Sequence, residues 1–368
     1  MNPQEEFCPN IDCPDRGKIG QDNIVCHSQK EKRCKCKTCG KTFSVTKGTA
    51  LYGLKKGHDV FVMVVTLLAF GCPVQAIVKA IGLDERTVRS WWLKSGEQSE
   101  RVHEAVIGKS QLDLVHVQAD EIKVKTRGAT IWMALAMMVS TRLWLGGVVS
   151  PKRDKALIEQ LVAKIRQVAL CRDLLLAVDG LSSYVKAFQK VFRSPHRTGK
   201  LGRPQLIPWT GIQIVQVLKQ RIPHFEILRR IVQGSEQCVK NLLQRSQGGT
   251  GINTAYIERL NATFRQRISS LTRRSRQAAS QQQTLHASMY LVGTLYNFCV
   301  PHHSLRLPIW LSERRKHWVQ RTPAMATGLT DHIWTVGELI TFKLVPAPFV
   351  PPKRRGRPPK KQILEAVT

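Results

Sequence analysis

Apolar residues recur at helical spacing over 60–70, and Gly71 supplies a C-terminal stop, so a helix is expected there with Asp59 as its cap-like start. A second short helix is expected after Pro73. The run from Ala76 then reads as the end of that helix, a turn at Gly82, a cap at Asp84 and a third helix with Val88 and Trp91 facing inward. Beyond residue 106 the pattern changes to apolar strands. One is expected over 114–119, ending on Asp120 and Glu121, and two more over 131–139 and 143–149 as a meander. A helix from Asp154 to Val168 follows, then a buried strand over 174–178 that ends on Asp179 and the turn glycine Gly180. A later stretch from Tyr256 has apolar residues at helical spacing and presents Glu258 toward the sheet.

These shifts of pattern divide the chain into a Cys-rich segment (1–50), a helical segment (51–105), an α/β segment (106–315), a C-terminal extension (316–345) and a Pro-rich basic tail (346–368). The fold class expected is multidomain α/β. No internal repeat of solenoid period is present, although Gly-Arg-Pro occurs at Gly202 and again at Gly356.

Charge narrows the class of partner. Among 368 residues, 57 Lys and Arg stand against 26 Asp and Glu, a formal charge of +31 that repels itself and binds phosphate. Double-stranded DNA is the partner this suggests, and the 42% hydrophobic content supports a packed interior. No signal-like segment opens the chain and its longest apolar run is too short to span a bilayer, so a cytoplasmic protein with no membrane partner is expected.

Six of the ten cysteines fall within the first 39 residues, which in a reducing compartment suggests metal rather than disulfide. Cys8-x4-Cys13 and Cys36-x2-Cys39 have the spacing of a zinc ribbon, with Gly40 permitting the turn beneath the sulfurs and Phe43 covering the site. One structural zinc is expected there. Cys26, His27 and Cys34 compete as ligands but lack knuckle spacing with a turn glycine of their own, and Cys72, Cys171, Cys238 and Cys299 read as core.

The three expected helices of the second segment form a helix-turn-helix, whose last helix turns Glu85, Arg86, Arg89 and Ser90 outward as a surface for a major groove. In the α/β segment, the order of three strands, helix, strand and later helices carries acids on strands one and four and on a late helix. That layout is ribonuclease H-like. Each acid alone reads as a solvated or capping carboxylate, but three at matching topological positions in a basic chain read as a metal site. Glu121 is the rival of Asp120 for the first position, and alternation along the strand places it on the other face.

At these residues the chain resembles the bacterial insertion-sequence transposases of the kind first named insertion sequence one. The resemblance covers nearly the whole chain and rests on Cys36-Lys-Thr-Cys39-Gly-Lys-Thr-Phe, Ala119-Asp120-Glu121, Val178-Asp179-Gly180, Ile257-Glu258-Arg259-Leu-Asn261, Tyr296-Asn297-Phe and His303-Ser-Leu-Arg. Cys34 stands where an aromatic residue is usual. The resemblance implies a zinc ribbon and a helix-turn-helix ahead of a ribonuclease H-like core. It implies that Asp120, Asp179 and Glu258 hold two magnesium (or manganese) ions, with Arg259 and Asn261 lining the site or the DNA. It implies DNA strand cleavage and strand transfer on element ends and target, by a homo-oligomer assembled on DNA. Carboxylates suit that chemistry, because hard divalent cations prefer oxygen ligands. In the tail, Arg355, Gly356, Arg357 and Pro358 read as an AT-hook for the narrow minor groove. The rival readings are a domesticated DNA-binding regulator without catalysis and a nuclease or resolvase that cuts without rejoining.

Overall fold

The computed structural model describes residues 2–125, 130–197, 199, 202–220, 226–271, 282–312 and 315–351. They divide into two compact units: the chain up to Gly48 with the described stretch from Lys343, and the chain from Thr49 to Phe342.

The smaller unit is built on a three-stranded antiparallel sheet of β1 (Ile24–Ser28), β2 (Arg33–Cys36) and β3 (Thr42–Ser44) in that order. Its buried cluster is Cys8, Cys13, Ile24, Cys34, Cys36 and Phe43. With only Ile24 and Phe43 as hydrocarbon side chains, so small a core needs a staple. The beginning of the expected tail belongs to this unit. Lys343 Nζ lies 2.5 Å from Glu6, and a Cβ added at Gly17 would stand 2.6 Å from the Pro346 carbonyl oxygen.

The larger unit opens with α1 (His58–Ala69), α2 (Val74–Ile81) and α3 (Glu85–Val106). Gly57, not Asp59, flanks the start of α1, and Asp59 sits inside its first turn, where a carboxylate still favours the positive end of the helix dipole. Gly82 adopts the left-handed conformation (φ 67°) that closes α2, and the Asp84 carboxylate accepts the Arg86 N–H at 2.7 Å to cap α3. Val88 and Trp91 are buried, with Trp91 edge-on to Phe61.

The remaining elements of the larger unit are, in order, β4 (His116–Lys125), β5 (Thr130–Met138), β6 (Trp144–Ser150), α4 (Lys155–Val168), β7 (Leu174–Asp179) and α5 (Ser182–Val191). A hairpin of β8 (Arg193–His196) and β9 (Gln205–Pro208) precedes β10 (Ile212–Gln220) and β11 (Glu226–Gln233). Then come α6 (Glu236–Arg245), α7 (Ala255–Arg267), α8 (Gln282–Phe298), the strands β12 (Leu307–Ser312) and β13 (Arg315–Val319), and the short α9 (Pro323–Thr327) and α10 (Val336–Thr341).

The architecture is mixed α/β around a six-stranded mixed sheet of order β11-β10-β7-β4-β5-β6. β4, β5 and β6 form an antiparallel meander, β7 runs parallel to both β4 and β10, and β11 closes the far edge antiparallel to β10. Alternation sorts the side chains into two layers. Ala119, Ala134, Ala136, Leu176 and Val178 pack with α4 and α5, while Ile122, Met133, Leu135 and Met137 pack with α7 and α8.

Two expected segments fold into the larger unit rather than apart from it. The second half of α3 buries Ser95, Gly96, Gln98, Ser99, Val102 and His103, and Gly96 approaches α8 so closely that a Cβ there would stand 2.5 Å from the Ala287 Cβ. Within the 316–345 stretch, Trp334, Leu339 and Ile340 lie in the same buried cluster as α1 and Phe298. Two of the cysteines read as core are exposed. Cys171 lies in the loop before β7, and Cys238 lies on the outer side of α6, whose buried positions are Val239, Leu242 and Leu243.

Candidate active site and cysteine cluster

Asp120 and Glu121 lie within β4 rather than at its tip, since the strand runs on to Lys125. The parallel ladder between β4 and β7 holds Gln118 against Ala177 and goes no further. Two residues on, the diverging strands present Asp120 on one side and Asp179 on the other. A gap between parallel strands at the carboxyl end of β7 is where an open α/β sheet makes a crevice.

A cleft of about 630 Å³ opens there, lined by Asp120, Asp179, Gly180, Lys219, Thr254, Glu258, Asn261 and Arg265 among others. All three acids expected from the sequence therefore face one cleft. The tightest group differs in one member: single carboxylate oxygens of Asp120, Glu121 and Asp179 lie within 4.8 Å of one another. Asp120 pairs across β5 with Leu135, on the α7 face, and Glu121 pairs with Ala134, on the α4–α5 face. The two acids thus point to opposite faces, and both still reach the gap beside Asp179.

Cations hold the outlying carboxylates. Arg153 lies 3.0 Å from Glu121 Oε2 and 3.4 Å from Asp179 Oδ2, and it packs over the Trp132 ring at 4.9 Å. Lys219 lies 2.5 Å from Glu258 Oε1, which also accepts the Thr254 hydroxyl at 2.9 Å. Burial, with the charges of Asp179 and Glu258 added, pushes the Asp120 carboxyl up to about 6. Burial and the charge of Asp179 push Glu121 up to about 7 against the opposing pull of Arg153. Partial burial would raise Glu258, but the hydrogen bonds from Lys219 and Thr254 outweigh it and hold the group below the usual carboxylate range.

Buried amides that the sequence analysis passed over set this geometry. Gln118 is fully buried, and its Oε1 accepts the backbone N–H groups of Tyr256 and Ile257 at 3.1 and 3.0 Å. It ties the first turn of α7, and so Glu258, to the strand that carries Asp120. Gln216, equally buried, donates to the Asp179 carbonyl at 3.1 Å and accepts from Arg230. Their sequence signal is a polar side chain at an inward strand position beside an acid.

Asn261 Nδ2 donates to Asp120 Oδ2 at 2.8 Å. At 1% exposure Asn261 lies behind the cleft wall, so it positions Asp120 and does not meet DNA, as the sequence allowed it to. Its Oδ1 is buried without a hydrogen-bond partner among the described residues. Mutually repelling carboxylates and an orphaned amide oxygen form an all-oxygen donor set suited to a hard divalent cation.

Arg86, Arg89 and Arg259 are exposed. Arg89 is paired with Glu85 at 2.6 Å. Arg355, Arg357 and Pro358 lie outside the described residues.

In the smaller unit, the sulfurs of Cys8, Cys13, Cys36 and Cys39 lie within 4.8 Å of one another. Cys8 and Cys39 are 3.7 Å apart, and Cys13 and Cys36 are 3.8 Å apart. A tetrahedral zinc with sulfur ligands at about 2.3 Å requires sulfurs about 3.8 Å apart, so this group can hold zinc. Gly40, at φ 69°, turns the chain so that its N–H reaches the Cys36 carbonyl at 2.9 Å. Cys26 and His27 are exposed, and Cys34 is buried opposite Phe43 on β3 but outside the four-sulfur group.

Comparison of the chain with protein-family models and with curated proteins found no match. Among the described residues, no helix is long and apolar enough to cross a membrane.

Proposed function

We propose that the chain is a DNA transposase with a ribonuclease H-like core, which cleaves the ends of an insertion sequence and joins them to target DNA. The observation that carries this reading is the meeting of Asp120, Asp179 and Glu258 on one cleft that also receives Lys219 and Arg265. The sheet supports it too: an antiparallel meander of three strands followed by two parallel strands places the acids on its first and fourth strands and on a late helix, as the sequence order implied. The net charge of +31 supports DNA as the substrate. The proposed protein works as a homo-oligomer on element ends and target DNA in the bacterial nucleoid.

Asp120 and Asp179, with Glu258, would hold two magnesium or manganese ions. Such ions activate water or a 3′ hydroxyl and neutralise the leaving oxygen of an in-line displacement at phosphorus. The chain's own contribution is positional. Asn261 fixes one Asp120 oxygen, Gln118 fixes the start of α7, and Gln216 fixes the end of β7. Lys219 and Arg265 supply positive charge to a phosphodiester entering the cleft. Arg86, Arg89 and Arg259, and in the tail Arg355, Arg357 and Pro358, are proposed DNA contacts, and Cys8, Cys13, Cys36 and Cys39 the ligands of one structural zinc.

Incubation with the element ends that flank its own gene tests the reading. Asp120→Ala, Asp179→Ala and Glu258→Ala are each expected to abolish cleavage and joining in magnesium while DNA binding persists. Joining by any of the three would overturn the site. Glu121→Ala is expected to retain measurable activity, because Glu121 faces Arg153 rather than the cleft. If Glu121→Ala is inactive and Glu258→Ala active, the third ligand is Glu121.

A further inference from the structure

β12 and β13 pair only with each other. Both faces of this ribbon meet water: Leu307 and Ile309 are each 46% exposed on one face, and Trp310 is 63% exposed on the other. The register sets Pro308 opposite Trp318 and Trp310 opposite Lys316. The Arg306 guanidinium stacks 3.9 Å from the centre of the Trp318 ring, and Lys316 Nζ lies 4.2 Å from Trp318 and 5.2 Å from Trp310. One face is therefore a strip of alternating indole and cation.

The base of the ribbon is anchored. His302 N–H donates to the Arg321 carbonyl at 2.9 Å, Arg321 Nε donates to the Leu305 carbonyl at 3.1 Å, and Leu305 and Thr322 are buried. A two-stranded ribbon with no third strand or helix over it is marginal in water by itself. Exposed indole and aliphatic groups on such an element have a reason to persist when a partner covers them.

Charge selects the partner. A second copy of a chain carrying +31 would bring like charge against Arg306 and Lys316, whereas a polyanion would be drawn to them. A two-stranded ribbon also has the width admitted by the DNA major groove, about 12 Å across. We propose that the β12–β13 ribbon is a duplex-contacting arm. In it Arg306 and Lys316 take backbone phosphates and Trp310 packs on the sugar and base edges. The arm is separate from the acidic cleft and from the arginines of α3, and its proposal rests on the reading that this chain handles DNA.

Full-length protein and its Trp310→Ala and Lys316→Ala variants would be titrated against a labelled duplex of arbitrary sequence over a range of potassium chloride concentrations. Self-association would be followed by sedimentation. Trp310→Ala should weaken binding about tenfold with the salt slope unchanged, as expected for the loss of one aromatic platform. Lys316→Ala should lower the slope of log affinity against log salt by about 0.9, the loss of one phosphate contact. If wild type binds and cuts element ends while both variants keep wild-type affinity and slope, the arm is wrong and the transposase reading stands. If wild type binds no duplex at any salt, both fail. If Trp310→Ala abolishes self-association and leaves DNA affinity unchanged, the ribbon joins copies of the chain and the DNA arm is overturned.

Discussion

Asp120 and Glu121 are adjacent in the chain, yet their carboxyls are raised by different surroundings: Asp120 by burial against the α7 face, Glu121 by burial on the face that carries Arg153. Each binds its proton more tightly folded than unfolded. Its stabilising contribution is therefore complete below the ordinary carboxylate range and is lost as pH rises through about 6 for Asp120 and about 7 for Glu121. Buried His103, His116 and His302 titrate in the opposite sense, because burial lowers them to about 4, 3 and 4 and their contribution is lost as pH falls. The clean signal is the difference between Asp120→Asn and wild type without divalent cations. The variant should lose less thermal stability between pH 4 and pH 7, and magnesium should restore the loss in wild type only. Parallel melting curves for the two proteins across that window would show that Asp120 does not sense its neighbours.

Helix packing decides where the α3 helix belongs. Its first turns present Arg86 and Arg89 to solvent, and its later turns run against α8 through Gly96, where a Cβ would stand 2.6 Å from the Ala287 backbone. Gly96→Leu should therefore destabilise the larger unit by about 1–3 kcal/mol, the usual cost of overpacking a contact that cannot yield. Denaturant unfolding would measure it, and an unchanged midpoint would mean that α3 and α8 separate without loss. The same joint explains why the expected 51–105 segment does not close on itself. Most of the helix that should have ended it is buried against the rest of the larger unit.

The whole molecule is two compact units with different sources of stability. The larger has an extensive apolar interior. The smaller has a few hydrocarbon side chains around four sulfurs, so its folding free energy must come largely from metal. A Cys36→Ser, Cys39→Ser protein should contain no zinc and should lose the unfolding transition of the smaller unit while that of the larger persists. Metal analysis with calorimetry checks both. Full zinc content in the variant would remove these cysteines from the site.

Local patterns in the sequence determined a good part of this protein. The strands around residues 131–139, 143–149 and 174–178, the Asp84 cap, the Gly82 turn and the spacing of the four cysteines were all legible, because each depends on periodicity or on one residue's backbone and side-chain preferences. Asp120, Asp179 and Glu258 were legible as candidates for the same reason: each sits beside a recognisable element. The tertiary structure alone decided that β4 carries its acids in mid-strand, that Glu121 stands closer to Asp179 than face alternation implied, and that Asn261 is buried behind Asp120. It alone decided that Gln118 and Gln216 hold the site together, and that the chain from Lys343 lies against Glu6 and Gly17. Each of these depends on which distant segments meet, where strands diverge and which side chains lose water, and a buried glutamine and an exposed one are written identically in a sequence.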